Sequence, residues 1–168
     1  MIQSVGQEQA VVISLGEMRV TDDPGALLVC FGIGSCIAFS AVDPVSKVSG
    51  MAHFVLPDST QGNGSKNLER FVDAGIPIML ERLADAGAVR SRTIYKMAGG
   101  AHMVMARGFE SRLNIGERNI ESTRATMASL SLRFRSEDVG GTHGRTVRLT
   151  VATGKVMVST VGGSSYEL

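Results

Sequence analysis

At 168 residues and 43% hydrophobic content, the chain has the length of one ordinary domain and enough apolar side chain to fill one core, so a single domain over 1–168 is expected. The 17 Lys and Arg stand against 16 Asp and Glu and are scattered along the chain, which argues against a basic surface tracking nucleic-acid phosphates. Two cysteines are too few for a disulfide-built secreted scaffold, so both thiols are expected to be reduced.

In chain order, MIQSVGQEQAVVISLG lacks the basic region and long apolar core of a secretion signal, which predicts a cytoplasmic chain. Strands are predicted over Val11–Leu15, Leu27–Phe31 and Cys36–Val42. The uncharged stretch Gly25–Val42 has the character of a membrane span, but Gly32 and Gly34 break it, Ser35 and Ser40 interrupt it, and Asp23 and Asp43 flank it. Two buried strands joined at the glycines are expected instead, with no membrane insertion. The turn signal DPVSK (Asp43–Lys47) then leads into a strand over Val48–Leu56, and Pro57–Asn67 reads as a flexible loop.

Phe71, Val72, Ile76, Met79, Leu80 and Leu83 recur at helical spacing, with Gly87 placed as a C-terminal cap and Pro77 as the weak point. A strand over Thr93–Met97 follows. A second helix begins near Gly116 and repeats through Ile120, Met127 and Leu130. Strands over Phe134–Asp138, Thr146–Val151 and Lys155–Val161 complete the chain, with the clearest alternation at Val147, Leu149 and Val151. Strands that outnumber helices and come in runs predict an α+β fold: a single layered domain of mainly antiparallel or mixed sheet with two main helices packed on it.

The segment CFGIGSCIAFSAVDPVSKVSGMAHF, Cys30 to Phe54, holds both cysteines and the first of three histidines. Glycines before Cys36 let the backbone expose amide N–H groups at Gly34, Ser35 and Cys36, which suits an oxyanion hole. A hairpin closed by DPVSK can bring His53 beside Cys36, and a thiol next to an imidazole is a candidate nucleophile. Spacing alone leaves the structural reading open, with Cys36 a small buried hydrophobe and His53 a satisfied core residue. A metal site from Cys30, Cys36 and His53 is the weakest alternative, since no fourth ligand stands nearby; no metal is expected.

GIGSC (32–36), the DP that follows, GMAHFVLPDS (50–59), KMAGGAHM (96–103), NIGERN (114–119), DVGG with Arg145 after it, and GKV (154–156) occur in an order that resembles the CheD family, the chemoreceptor glutamine deamidases of bacterial and archaeal chemotaxis. The resemblance runs from about the first strand to Gly163. It implies hydrolysis of a glutamine side-chain amide to glutamate and ammonia, with Cys36 as nucleophile, His53 as general base and no cofactor. It also implies the chemoreceptor cytoplasmic helical bundle as substrate and a CheC-type phosphatase as a possible partner.

One position departs from the family pattern. Six residues before the nucleophile the family typically has a threonine, regarded as the third catalytic member, and here stands Cys30, whose thiol is a weak donor and weak acceptor. Cys30 could orient His53 loosely, which leaves a second expectation: a catalytically weakened binding module that docks receptors or a CheC-type phosphatase. Its ALLVCF surroundings otherwise read as those of an inert buried thiol. Asp58 and Ser59 are placed to line a substrate entrance, and His102, between glycines and Met103, is a candidate substrate-positioning residue or a structural one. His143 reads as solvated; Asn114, Arg118 and Asn119 as cap and loop anchors; Asp138 and Arg145 as an ion pair.

Overall fold

Interrupted by glycine at two positions, the uncharged Gly25–Val42 stretch becomes two strands that leave one turn for different sheets. A computed structural model describes residues 9–103 and 114–168. Among these residues are ten strands: β1 Gln9–Val12, β2 Met18–Thr21, β3 Ala26–Ile33, β4 Ile37–Val42, β5 Ser49–Phe54, β6 Ile94–Gly99, β7 Phe134–Val139, β8 Arg145–Thr150, β9 Lys155–Thr160 and β10 Ser165–Glu167. Two helices join them, α1 Val72–Asp85 and α2 Ile115–Ser129.

The strands form two five-stranded sheets, in the orders β1-β3-β8-β9-β10 and β2-β5-β4-β6-β7. Each is mixed: β1–β3 and β6–β7 are parallel and the other pairs antiparallel. A parallel neighbour needs a long crossover, and α2 lies in the crossover between β6 and β7. The α+β class with two packed helices is therefore the observed one.

The layers run helices, second sheet, first sheet. Phe39, Phe54, Tyr95 and Met97 on the outer face of the second sheet pack with Val72, Ile76 and Met79 of α1 and with Ile120 and Met127 of α2. Ala38, Met51 and Ala98 on its inner face pack with Leu28, Cys30, Ile33, Val147 and Leu149 of the first sheet. Strand β4 is central and covered on both sides, so all six of its residues are buried and its sequence reads as a continuous apolar run. In β8, which has one buried face, Val147 and Leu149 alternate with half-buried residues.

The β4–β5 hairpin closes as DPVSK predicts. Asp43 N–H donates to the Val48 carbonyl (2.9 Å) and Lys47 adopts φ +65. The Asp43 carboxylate, fully shielded from solvent, accepts from Arg92 Nε (2.7 Å), Val89 N–H (2.8 Å) and Val45 N–H (3.0 Å). The Arg92 guanidinium holds that carboxyl well below the usual carboxylate range, and the hairpin corner is thereby anchored to the segment after α1.

Four local expectations change. Strands β2 and β10 were not anticipated: β2 is four residues with one buried side chain, and β10 is three exposed residues, too short to show a period. Pro77 does not weaken α1 visibly; it sits exposed inside the helix while Val72, Ile76, Met79 and Leu83 stay buried on the opposite face. The Pro57–Asn67 segment contains a 3-10 turn at Ser59–Gln61 capped by Asp58, and a second at Leu68–Arg70 is capped by Asn67. Finally, β5 ends at Phe54, because Val55 N–H turns away to donate to Arg70 O (2.8 Å). Gly87 does cap α1, at φ +99, with its N–H on Ala84 O (2.9 Å). No helix among the described residues is long and apolar enough to cross a membrane.

Candidate active site

Cys36 lies in the turn between the sheets, immediately before β4. The turn starts where the β3–β8 register shifts between Cys30 and Ile33 and Gly32 takes φ +62. It is held from outside by its carbonyls: Gly34 O accepts from Ala101 N–H and Cys36 O from Gly100 N–H, both at 2.8 Å. This close approach depends on Gly99, at φ +126, where an added Cβ would fall 2.1 Å from Cys36 O. The GG of KMAGGAHM is thus the ledge on which the cysteine turn rests.

His53 is brought to the same place by strand register. It stands opposite Ala38 across the antiparallel β4–β5 pair, and Cys36 lies in the turn two residues before Ala38; in a ladder continued to Cys36 the two would be diagonal neighbours, with Cα atoms about 7–8 Å apart. The β4–β5 hairpin predicted from sequence is present. No hydrogen bond joins Cys36 Sγ to His53 among the described residues.

The segment between β1 and β2 curls over the histidine. Gly16 N–H donates to His53 O (2.9 Å), His53 N–H donates to Glu17 O (2.9 Å), and the ring Nδ1 lies 3.2 Å from Ile13 O. A carbonyl can only accept, so Nδ1 carries the hydrogen and Nε2 carries the lone pair of the neutral ring. Among the described residues, Nε2 is buried with no hydrogen-bond partner. The ring is thus fixed in tautomer and orientation, with its one unsatisfied atom a base.

Burial pushes the Cys36 thiol up, opposed by its own backbone N–H. Burial likewise pushes the His53 imidazolium down, opposed by the bond to Ile13. Both effects favour neutral thiol and neutral imidazole at rest. Cys30, 0% exposed, is pushed further up by burial, with Cys36 adding to it. It has no hydrogen bond to His53 among the described residues, and the Ile13 carbonyl occupies the orienting role considered for that position.

Relatives supply an independent test of the sequence resemblance. The family model described as CheD chemotactic sensory transduction matches residues 55–160. The chain is 46% identical over 157 residues to the probable chemoreceptor glutamine deamidase CheD of Symbiobacterium thermophilum, covering 93% of this chain and 95% of that one. The chain belongs to the CheD family. It is also 38% identical over 152 residues to the chemoreceptor glutamine deamidase CheD of Thermotoga maritima, covering 90% of this chain and 92% of that one. Although the CheD family match begins after His53, these longer alignments leave too few residues outside to omit 36–53.

The other sequence candidates fall into two groups in this CheD chain. Asp58 and Ser59 are engaged locally: Asp58 accepts from Thr60 N–H (2.8 Å) and Oγ1 (2.7 Å), and Ser59 donates through N–H (2.9 Å) and Oγ (2.8 Å) to Asp73 at the start of α1. His102 is exposed; its N–H donates to Gly141 O (2.8 Å), and it borders a surface concavity of about 360 Å³ with Asn114, Glu117 and Gly141. Met103 covers the turn, its Sδ 3.2 Å from where a Gly34 Cβ would be. His143 is exposed as expected. Asp138 and Arg145 form a forked pair at 3.0 Å, with Arg145 buried, so this bond is better shielded than an exposed ion pair. Among the described residues no three His, Cys, Asp or Glu side chains form a group that could hold a metal ion.

One contributor was absent from the sequence reading and another was assigned only in general terms. Ile13 acts through a backbone carbonyl, for which no residue type gives a signal. Asn119, read with Asn114 and Arg118 as cap and loop anchor, is 0% exposed, while Asn114 makes the cap, accepting from Glu117 N–H (3.1 Å).

Proposed function

We propose that this chain is a chemoreceptor glutamine deamidase that hydrolyses a receptor glutamine carboxamide to glutamate and ammonia through a Cys36 thioester. The observation that carries the reading is the Nε2 of His53, without a partner among the described residues and locked in the basic tautomer by Ile13, opposite Ala38 in the strand that Cys36 leads into. The names of the relatives give the substrate class.

Cys36 and His53 rest as a neutral pair, so proton transfer accompanies attack. Cys36 Sγ bonds to the carboxamide carbon as Nε2 takes the thiol proton, and the carbonyl oxygen becomes an oxyanion facing the amides of Ser35 and Cys36. The imidazolium then passes that proton to the amide nitrogen, the C–N bond breaks and ammonia leaves. Water adds to the thioester with Nε2 as base, glutamate is released and the thiol regains its proton. Every proton is returned and no cofactor enters.

The substrate we assign is the cytoplasmic helical bundle of a chemoreceptor, with a CheC-type phosphatase as a second partner and Asp58, Ser59 and His102 around the approach. Since His53 is oriented by the Ile13 carbonyl, Cys30 in place of threonine does not by itself favour a binding-only role. The test is ammonia release from a chemoreceptor cytoplasmic fragment by the wild-type chain, Cys36→Ala and His53→Gln. Release by the wild type alone is expected; equal release by Cys36→Ala overturns the assignment.

A further inference from the structure

Asn119 reaches from the fifth residue of α2 into the core, where Nδ2 donates to Ser35 O (2.8 Å) and to Val55 O (3.0 Å). The first carbonyl belongs to the peptide unit whose N–H is that of Cys36. The second belongs to the residue next to Cys36 across the hairpin, just beyond the last β4–β5 pair, Ile37 with Phe54. A single amide group therefore ties the cysteine turn to the end of β5 and both to the helix.

Peptide planarity gives this bond a directional consequence. In a trans peptide the C=O and N–H point opposite ways, so fixing Ser35 O on α2 turns the Cys36 N–H away from the helix. That N–H donates to no group among the described residues. It is thus aimed to the side on which an attacked carbonyl would bear its developing charge.

The helix is shaped for this reach. Gly116, three residues before Asn119 and so on the same helical face, has no room for a side chain: an added Cβ would lie 2.5 Å from both Gly100 O and Ala101 O. Those two residues donate to the carbonyls on either side of Ser35 O, so α2 seats against the ledge that holds the turn and delivers Asn119 to the remaining carbonyl.

We propose that Asn119 is a positioning residue for the deamidation reaction, holding the Ser35–Cys36 peptide so that the Cys36 N–H serves as an oxyanion donor. The inference rests on the deamidase reading. Losing a preorganised donor of this kind lowers kcat by about 10²–10³-fold, whereas alkylation of Cys36 by iodoacetamide needs a thiolate and develops no oxyanion.

The experiment measures kcat and KM for ammonia release, and the alkylation rate of Cys36, in the wild type and in Asn119→Ala, with Asn119→Asp used if the alanine variant does not fold. We expect kcat to fall at least about 30-fold while KM and the alkylation rate stay within about threefold. Unchanged kcat, or kcat and alkylation falling together by the same factor, overturns the positioning role. A wild type that releases no ammonia overturns instead the deamidase reading on which it rests.

Discussion

Gly99→Ala places a methyl group against the cysteine turn. The added Cβ would lie 2.1 Å from Cys36 O and 2.6 Å from Ile33 Cγ2, in a residue at φ +126. To reach an ordinary contact the Cys36 carbonyl must move by about 1 Å, breaking its bond from Gly100 N–H (2.8 Å). Backbone strain of about 1–3 kcal/mol and overpacking of about 1–3 kcal/mol together lower Tm by roughly 5–20 °C. A displacement of about 1 Å at the nucleophile costs on the order of 10²-fold in kcat. Gly87→Ala is the control, because Gly87 has φ +99 with open space around a Cβ and lies past the end of α1: it should lower Tm through strain alone and leave kcat unchanged. Thermal melts and ammonia-release kinetics on the two variants separate strain from displacement. Parent-like kcat and Tm for Gly99→Ala would refute the claim that the GG ledge sets the position of Cys36.

Three further outcomes are expected. Cys30→Ala removes a thiol that has no hydrogen bond to His53 among the described residues, so kcat should stay within about fivefold of the parent while Tm falls as a small buried cavity opens; a loss beyond about 10²-fold in a folded variant would return Cys30 to the catalytic machinery. His53 is held below its ordinary value of 6.5, so between the folded and unfolded pKa values the unfolded chain binds more protons. Its contribution to stability is complete above pH 6.5 and is lost as pH falls toward the folded value, by up to about 1.4 kcal/mol per pH unit. Urea melts of His53→Gln should show a shallower acid slope than the wild type just below that pH; identical slopes would contradict the buried neutral imidazole. In kcat/KM the same neutral base requires an acid limb with its midpoint below pH 6.5, and a midpoint above it would point to an imidazolium–thiolate pair at rest.

The β4–β5 hairpin that carries His53 was legible because a short turn signal between two apolar runs specifies an antiparallel pair. Cys30 was legible as a buried thiol from its apolar neighbours. The division of β3 and β4 between two sheets was not, since Gly32 and Gly34 signal a turn but not which partners the flanking strands find. Asn119 was grouped with the cap and loop anchors because asparagine favours caps; which loop it anchors was not legible, since its two carbonyl partners are 84 and 64 residues distant in sequence. The Ile13 carbonyl is a backbone group available at every position, and only the fold selects it.

The most direct test of the account intercepts the acyl-enzyme. A chemoreceptor cytoplasmic fragment is incubated with the chain in the presence of hydroxylamine, and the glutamine peptides are weighed. A thioester on Cys36 divides between water and hydroxylamine, giving gains of roughly 1 Da for the acid and roughly 16 Da for the hydroxamate, both absent with Cys36→Ala. Acid without hydroxamate at high hydroxylamine, or products that persist in Cys36→Ala, would contradict covalent catalysis by Cys36.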